Sequence, residues 1–354
     1  MTDFIPCLFF VLLLVGRNFS EPQSEETLLD YKSSEPPPEE IPLDYKDAFT
    51  MNGEVPIEYY YVDDSNAGQG THYKFSWNYM EEMVDKNIPE QIAYLKSRHF
   101  VPAKEEIKEY AKEDRDQQQE RLDALFMTLL HKNYWPLVSM VQHPHFFDGA
   151  EVAVFGSVDP YFENVALYLG AIKVTTFEYN HLTFGDINDD DNDVLEVVTG
   201  DRYDALLRAA REGGQENADY SRFRGHFDIV LSFSSFDHSG LGRYGDEIDG
   251  GADLAAMSFA GKVTKTGGHL FLTLPVGPDV TVWNLQRRYG SKRLPLMLRS
   301  FFEGENCDTS NERSENEAGL LTPYDITTLG WNEAKVSAEA DYRKTYEPVL
   351  ILNK

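Results

Sequence analysis

The chain has 354 residues, with 60 acidic against 32 basic side chains and a formal net charge of −28. This imbalance argues against a nucleic-acid partner, because phosphate binding needs clustered lysine and arginine, and it disfavours docking on anionic membranes. Hydrophobic residues make up 42% of the chain, enough for one large domain with appendages or for two domains. With only two cysteines, Cys7 and Cys307, a thiolate metal cluster is excluded.

The N-terminus contains a continuous apolar run from Ile5 to Val15. Its length matches the hydrophobic region of a signal peptide and is too short to span a bilayer comfortably. We expect residues 1–20 to be a signal peptide or a short anchor, which would place the protein in the secretory pathway, secreted or in the ER or Golgi. Without that role the protein would be cytoplasmic, and contact with a membrane is expected only through this anchor.

Two segments are predicted between the N-terminus and the first strong strand. Residues 21–75 are acidic and rich in proline, which predicts a largely disordered linker. Apolar positions from Trp77 to about Val141 recur near helical spacing, so residues 76–148 are predicted to form a helical cover. His143 and His145 flank a proline and rarely converge on one ion in that arrangement, so we predict a turn there and no metal site.

The segment 151–180 has the order strand, turn, helix, strand, which is typical of a parallel βαβ unit. We predict a first strand, a break at a glycine and a serine, a helix and a second strand ending at an acid: Val152–Phe155, Gly156-Ser157, Tyr161–Leu169 and Lys173–Phe177 followed by Glu178.

Such a unit brings the Gly156-Ser157 turn and Glu178 to the same edge of the sheet. Backbone N–H groups of the turn and the carboxylate would together suit a nucleoside-bearing cofactor. Glu178 lies about twenty residues beyond Gly156, the expected reach of a ribose-binding acid. The turn has one glycine where a dinucleotide fingerprint has three, so an ordinary buried βαβ unit is the alternative.

The remaining chain supplies further strands of the same sheet. The third strand is followed by Gly200 and Asp201, an acid that could bind an adenine amino group. Two final strands without an intervening helix predict a hairpin that completes the sheet. The predicted strands are Leu195–Thr199, Phe227–Phe233, His269–Leu274, Ala334–Ala338 and Pro348–Asn353.

A dense polar loop, residues 234–246, follows the strand Phe227–Phe233. It contains two serines and then five polar or aromatic side chains between glycines, at the edge where ligands bind in open α/β sheets. The alternative is a connecting loop whose histidine and arginine satisfy backbone carbonyls. The residues concerned are Ser234, Ser235, Asp237, His238, Arg243, Tyr244 and Asp246.

A basic stretch lies between Asp279 and Glu303, where this acidic chain has no carboxylate. It contains Arg287 and Arg288, and guanidinium groups match phosphate and carboxylate geometry. We therefore expect an anionic part of a substrate here. The alternative is neutralisation of the protein's own acidic surface.

Three separated blocks resemble the family catalogued as domain of unknown function 268: GSVDPYFENVALYLGAIKVTTFEYN, SFSSFDHSGLGRYGD and VWNLQRRYGSKRLPLM. The strand pattern and the segment TGGHLFLTLP resemble class I S-adenosylmethionine-dependent methyltransferases over about residues 151–354. The resemblance implies an α/β fold at residues 149–354. It would be a Rossmann-like three-layer sandwich with a mostly parallel sheet and a C-terminal antiparallel hairpin, preceded by the helical N-terminal segment.

The resemblance also implies S-adenosylmethionine as cofactor. On the superfamily pattern, the first turn contacts the methionine part, the acid after the second strand binds the ribose, the acid after the third strand lies near adenine, and the residues after the fourth strand lie at the methyl group. These positions are Gly156 and Ser157, Glu178, Asp201, and Ser234 with Ser235. The first turn departs from the pattern, because it carries Asp159-Pro160 in place of further glycines.

We therefore expect methyl transfer to a hydroxyl or amine of a small molecule or glycan. His238 would be the general base, oriented by Asp237 or Asp246. An anionic substrate would contact Arg243, Tyr244, Arg287 and Arg288. The main alternative is a non-catalytic binding or scaffold protein on a degenerate methyltransferase fold. A nicotinamide-dependent enzyme is a weaker alternative, because the glycine fingerprint is absent.

Overall fold

The computed structural model describes residues 38–66, 71–97, 134–185, 194–212, 217–302, 324–331 and 346–354. The strands are β1 (Ile57–Tyr59), β2 (His72–Phe75), β3 (Glu151–Phe155), β4 (Lys173–Glu178), β5 (His181–Phe184), β6 (Leu195–Thr199), β7 (Phe227–Phe233), β8 (Thr264–Thr273), β9 (Val280–Trp283), β10 (Gln286–Arg288), β11 (Ile326–Leu329) and β12 (Val349–Asn353). The helices are α1 (Lys46–Thr50), α2 (Trp77–Glu82) with a π-helical continuation (Met83–Asn87), α3 (Ile88–Ser97), α4 (Tyr134–Gln142), α5 (Tyr161–Tyr168), α6 (Asp201–Glu212), α7 (Ala218–Phe223), α8 (Ala252–Val263) and α9 (Arg293–Phe302). Short 3-10 turns cover Leu43–Tyr45, Pro144–Phe146 and Phe236–His238.

A seven-stranded sheet forms the centre of the molecule, in the order β11-β12-β8-β7-β3-β4-β6. Its pairings from β6 to β8 are parallel, whereas β12 is antiparallel to both β8 and β11. The predicted α/β fold, with a mostly parallel sheet and a terminal antiparallel pair, is confirmed. The first strand of that pair is Ile326–Leu329, and the predicted strand at 334–338 lies outside the described residues.

Helices cover both faces of the sheet, which gives the three layers. Along β3, Ala153 and Phe155 belong to one apolar cluster, whereas Val152 and Val154 belong to the other. This alternation follows from the two-residue period of a strand, and it explains why β3 is apolar throughout. The first cluster includes residues of α6 to α9, and the second includes residues of α3 to α5.

Part of the predicted linker, residues 38–66 and 71–75, has defined structure, whereas residues 21–37 and 67–70 lie outside the described residues. Residues 57–66 and 71–75, here called the N-terminal strap, contain β1 and β2. Strand β1 pairs with β9 and β2 pairs with β5, both in parallel. The acidic composition of residues 21–75 predicts a linker, but the pairing partners of the strap lie more than a hundred residues away and leave no local pattern.

Two further predictions concern a metal site and contact with a membrane. His143 and His145 flank the predicted turn, and within the described ranges no group of histidine, cysteine and carboxylate side chains could hold a metal ion. No helix of the described part of the chain is long and apolar enough to cross a membrane. The apolar run at residues 5–15 lies outside that part.

Candidate functional site

The candidate site lies where the carboxyl ends of β3, β4 and β7 meet. The chain leaves β3 towards β4 on one side and returns through β7 on the other. Such a reversal opens a crevice at the carboxyl edge of an open α/β sheet. The turn after β3, the acid at the end of β4 and loop 234–246 after β7 all reach this crevice.

Gly156 begins the turn after β3 and has a backbone φ of +75°. Its N–H donates to the carbonyl of Phe177 at 2.9 Å, which ties the turn to the end of β4. A Cβ at this position would overlap the side chain of Ser235, so only glycine fits both the backbone conformation and the contact. The turn after β3 and the loop after β7 therefore touch at this residue.

Glu178 faces the same turn from the end of β4, as the sequence predicted. Its side chain is 5% exposed. The backbone N–H and the side-chain amide of Asn180 donate to Oε1 at 2.9 and 3.0 Å, and the backbone amides of Tyr179 and Ser157 also stabilise the carboxylate. Burial is the largest influence and raises the pKa of Glu178 to about 7, while these donors act against it.

Three tyrosines from different elements surround this carboxylate. Tyr73 lies in β2, Tyr203 in α6 and Tyr244 in loop 234–246. Burial raises the pKa of each phenol above its usual value, and the charge of Glu178 adds to this effect in all three. The phenols therefore stay protonated at neutral pH and remain hydrogen-bond donors.

Ser157, Ser234 and Ser235 shape the two loops. Ser157 is buried, and its hydroxyl donates to the carbonyl of Asp159 at 3.0 Å. Ser234 has a φ of +50°, rare for a residue with a side chain, and its N–H is held by the carbonyl and hydroxyl oxygens of Thr273 at 3.2 and 3.0 Å. The backbone between β7 and its loop is thus fixed where it meets Gly156.

Asp201 is the first residue of α6, and its side chain is exposed. Its charge helps to raise the pKa of the neighbouring Asp204 to about 6, although burial is the larger cause. The adjacent Gly200 N–H donates to the backbone carbonyl of Glu178 at 3.3 Å. Asp201 is therefore next to the candidate site, on its solvent side.

His238 does not have the surroundings expected of a general base. Its Nδ1 lies 2.6 Å from the carbonyl oxygen of Leu285, which can only accept, so Nδ1 carries a proton. Its Nε2 lies 3.4 Å from Oδ2 of the fully buried Asp237. Both ring nitrogens face protein groups, and the predicted role in proton abstraction is not supported by this geometry. Asp237 does contact His238, as predicted.

Asp246 has a different role from the one predicted. Its carboxylate accepts from the backbone N–H groups of Gly240 at 2.6 Å and Tyr244 at 3.3 Å. Burial raises its pKa, and these amides act against the rise. Asp246 therefore closes the loop on itself and does not orient His238.

The arginines expected to hold an anionic substrate are bound inside the protein. Arg243 forms an ion pair with Asp64 of the strap, with Nη2 2.7 Å and Nε 2.8 Å from Oδ2. Its guanidinium also lies 5.0 Å from the centre of the Tyr244 ring. Arg287 is fully buried and Arg288 is 7% exposed.

Arg287 and Arg288 donate to backbone carbonyls. Nη1 of Arg287 is 2.5 Å from the carbonyl of Ser239, and Nε of Arg288 is 2.7 Å from that of Pro278. These contacts correct the prediction of a substrate-binding pair: the two side chains stabilise loops. The alternative for this stretch, neutralisation of the acidic surface, does not describe them either, because both side chains are buried.

Sequence reasoning missed the contribution of the N-terminal strap. Thr71 N–H donates to Oδ1 of Asn180 at 3.0 Å, next to Glu178. Asp64 N–H donates to the carbonyl of Arg243 at 3.0 Å, in addition to the ion pair between their side chains. The strap thus contacts both sides of the crevice. The one available signal was the acid pair Asp63-Asp64 next to a flexible-looking glycine segment, and it does not specify a partner.

Comparison with known proteins found one matching family. The family described as "Caenorhabditis protein of unknown function, DUF268" matches residues 149–324, which contain the turn, Glu178 and loop 234–246. A comparison with curated proteins found no match.

Several solved structures are similar to this chain at low identity. One is the 1,6-didemethyltoxoflavin-N1-methyltransferase of Burkholderia thailandensis with bound 1,6-didemethyltoxoflavin and S-adenosylhomocysteine, at 13% identity and a TM-score of 0.37, covering 70% of this chain and 93% of that one. Another is the S-adenosylmethionine-dependent methyltransferase SibL, at 10% identity and a TM-score of 0.35, covering 78% and 72%. A third is a TehB-like methyltransferase of Corynebacterium glutamicum, at 12% identity and a TM-score of 0.30, covering 68% and 99%.

Proposed function

We propose that this chain binds S-adenosylmethionine and transfers its methyl group to a hydroxyl or amine of a small molecule or glycan, because residues 149–324 match the DUF268 family and the central sheet has the order β11-β12-β8-β7-β3-β4-β6. The observation that carries the proposal is the position of Glu178. Its carboxylate faces the Gly156-Ser157 turn at the crevice, where the superfamily pattern requires the ribose-binding acid.

The residues present fit the cofactor. The side chain of Asn180 donates to Oε1 of Glu178, and among the described residues no side chain donates to Oε2. Four protein groups already donate to this carboxylate, close to the about four hydrogen bonds that a carboxylate accepts, so ribose hydroxyls would share its oxygens with these donors or replace some of them. Gly156 is exposed and has no side chain, so its backbone can approach a ligand closely.

The bound cofactor would supply a methyl group activated by the neighbouring sulfonium. The protein's part is then to hold the acceptor in line with that group, and positioning can supply a large share of the rate. Ser234 and Ser235 lie nearest to the place that the pattern gives the methyl group. Both are half-buried, and Ser235 is held against Gly156. Their hydroxyls can orient an acceptor by hydrogen bonds.

The acceptor's charge follows from the side chains that remain available. Arg243, Arg287 and Arg288 already bind Asp64 or backbone carbonyls. They therefore give no support to an anionic acceptor, and a neutral or amine-bearing acceptor suits the three tyrosines near Glu178 better. If residues 1–20 act as a signal, the acceptor lies in the secretory pathway.

Isothermal titration of the full chain with S-adenosylmethionine and S-adenosylhomocysteine tests the proposal. We expect saturable binding of both, weakened at least about tenfold by Glu178→Gln, since a hydrogen bond to a charged group contributes about 1.5–3 kcal/mol. Asp219→Asn, which removes an exposed ion pair with Arg202, is the matched control and should bind as the wild type. Folded wild-type protein that gives no heat with either compound would end the enzyme proposal.

A second candidate function is a non-catalytic binding or scaffold protein on the same fold. Two observations favour it: both nitrogens of His238 face protein groups, and Ser235 packs directly on Gly156. This candidate predicts that acceptor screening yields no S-adenosylhomocysteine even when S-adenosylmethionine binds. A measured turnover would exclude it.

A further inference from the structure

The N-terminal strap is fixed at both sides of the crevice. On the side of β7, its Asp64 forms the ion pair with Arg243. On the side of β4, its strand β2 pairs with β5 in the register His72 to His181, and Thr71 N–H donates to Asn180. The strap therefore contacts the crevice beside the proposed ribose-binding acid.

Asn180 links this strap to Glu178 through a single side chain. Its Oδ1 accepts from the Thr71 N–H at 3.0 Å, and its Nδ2 donates to Oε1 of Glu178 at 3.0 Å. The side chain is 2% exposed, so neither group has water as a substitute partner. Every polar atom of the carboxamide is committed to one of two functions, the strap or the carboxylate.

The link is not needed for the pairing of β2 with β5. Four residue pairs join those strands, and the N–H of His181 donates to the carbonyl of Thr71 at 2.9 Å. An apolar residue at position 180 would leave this ladder in place but would lose the hydrogen bonds of the carboxamide. The observed contacts thus favour a role in orienting Glu178 over a role in strand pairing.

We propose that Asn180 is a positioning residue, which holds the carboxylate of Glu178 towards the crevice and makes this orientation depend on the docked strap. The inference rests on the proposed function, because it takes Glu178 as the ribose-binding acid. Displacement of the strap would free Asn180 and loosen the carboxylate, and by reciprocity cofactor binding would stabilise the docked strap.

The hydrogen bond from Asn180 to Glu178 can be detected through the pKa of Glu178. Donation from Asn180 lowers the pKa of Glu178 against the larger effect of burial. The titratable groups that feel its charge are the phenols of Tyr73, Tyr203 and Tyr244, which stay neutral at ordinary pH. Loss of the Asn180 donor should therefore move the titration of Glu178 to higher pH without a compensating charge nearby.

Two variants of Asn180 separate its two hydrogen bonds. Asn180→Ala removes both, whereas Asn180→Asp keeps an acceptor for Thr71 N–H, loses the donor to Glu178 and adds a like charge. We expect both to weaken S-adenosylhomocysteine binding by about tenfold or more near pH 7, with recovery as pH rises to about 9. The pH midpoint should shift further for Asn180→Asp. Asn353→Ala, which removes an amide bound to His269 in β8, is the control and should leave affinity unchanged.

Hydrogen exchange at the Thr71 amide tests the bond from Thr71 N–H to Oδ1 of Asn180. The amide should lose protection in Asn180→Ala and keep it in Asn180→Asp. Unchanged affinity in both variants would show that Asn180 has no positioning role. An equal loss of affinity at every pH would show that its role is only structural. If the wild type binds no S-adenosylhomocysteine, the proposed function fails. The link between Asn180 and Glu178 is tested separately by NMR, and an unshifted pKa of Glu178 in the variants would refute it.

Discussion

Three buried carboxyl groups surround the Gly156 turn, those of Asp159, Glu163 and Glu178. Burial is the main cause that raises their pKa values, to about 6, about 7 and about 7. In the unfolded chain these groups lose their protons at lower pH, so the folded state binds more protons between the two pKa values. Their contribution to stability is therefore present at low pH and is lost as pH rises towards 7.

Glu163→Gln should remove this dependence at one position. Glu163 is fully buried, its Oε1 accepts from the hydroxyl of Thr176 at 2.9 Å, and the Ser157 side chain also acts to lower its pKa, while Oε2 has no hydrogen-bond partner among the described residues. The neutral amide avoids a buried charge, so we expect the variant to be more stable than wild type at pH 8 by up to about 3 kcal/mol, with little difference near pH 4. Urea unfolding at both pH values measures this.

Glu196→Gln is a matched control, for which we expect the opposite change in stability at pH 8. Burial acts to raise the pKa of Glu196, but the hydrogen bond and charge of Arg222 and the charges of Lys173 and Arg202 bring it below the usual value. Its carboxylate therefore stabilises the fold at neutral pH, and the amide should lose stability at pH 8. Equal losses at both pH values in Glu163→Gln would contradict the assignment of a protonated Glu163.

At the scale of elements, the crevice depends on the contact between the turn after β3 and the loop after β7. Both loops were recognised in the sequence, because glycines and polar residues follow strong apolar strands. Their contact was not, because the match of Gly156 to Ser235 depends on backbone geometry that one-dimensional spacing does not contain. The same holds for His238, whose partner Leu285 lies 47 residues away.

Gly156→Ala tests this contact. The new Cβ would need a backbone conformation with φ of +75° and would overlap Ser235. We expect a loss of stability above the roughly 1–2 kcal/mol that the conformation alone costs. The control is Gly53→Ala, with φ of +89° and open space around the new Cβ, which measures the conformational cost by itself.

The double variant Gly156→Ala/Ser235→Gly completes the cycle. It should recover the steric part of the loss and leave the conformational part, as measured by chemical denaturation. Additive losses in this cycle would contradict direct packing between the two loops.

A buried ionic cluster around Asp253 also stabilises loop 234–246. Asp253 accepts from Arg293 at 2.6 and 2.8 Å and from the hydroxyl of Tyr289 at 2.9 Å, while Arg287 extends from the cluster to the loop carbonyls. Burial acts to raise the pKa of Asp253, but Arg287 and Arg293 bring it below the usual value. Arg287 and Arg293 of the basic stretch thus neutralise a buried acid, whereas the sequence had suggested an anionic substrate or the acidic surface.

Asp253→Asn should leave the two guanidinium groups without a counter-charge. We expect a loss of about 3–5 kcal/mol in the free energy of unfolding. Asp228→Asn, which breaks the exposed pair with Lys265, should cost below about 1 kcal/mol. Similar small losses in both variants, measured by urea denaturation, would show that the buried cluster does not support the loop.

For the whole molecule, the sequence predicted the sheet well but not the N-terminal strap. Strands β3, β4, β6 and β7 have strong apolar patterns and short-range connections, and their predicted bounds agree with the structure to within one residue. The strap pairs with strands far along the chain, and its acidic composition conceals that pairing. The sequence predicted which side chains lie near the crevice, because they follow its strands. It did not predict their roles, because these depend on partners that only the fold brings together.

A structure of the full chain crystallised with S-adenosylhomocysteine tests the central claim most directly. We predict that the ribose hydroxyls lie within hydrogen-bond distance of the Glu178 carboxylate and that the amino acid part lies along the Gly156-Ser157 turn. A ligand bound elsewhere, or a Glu178 carboxylate still bound only to protein groups while the ligand is present, would contradict it.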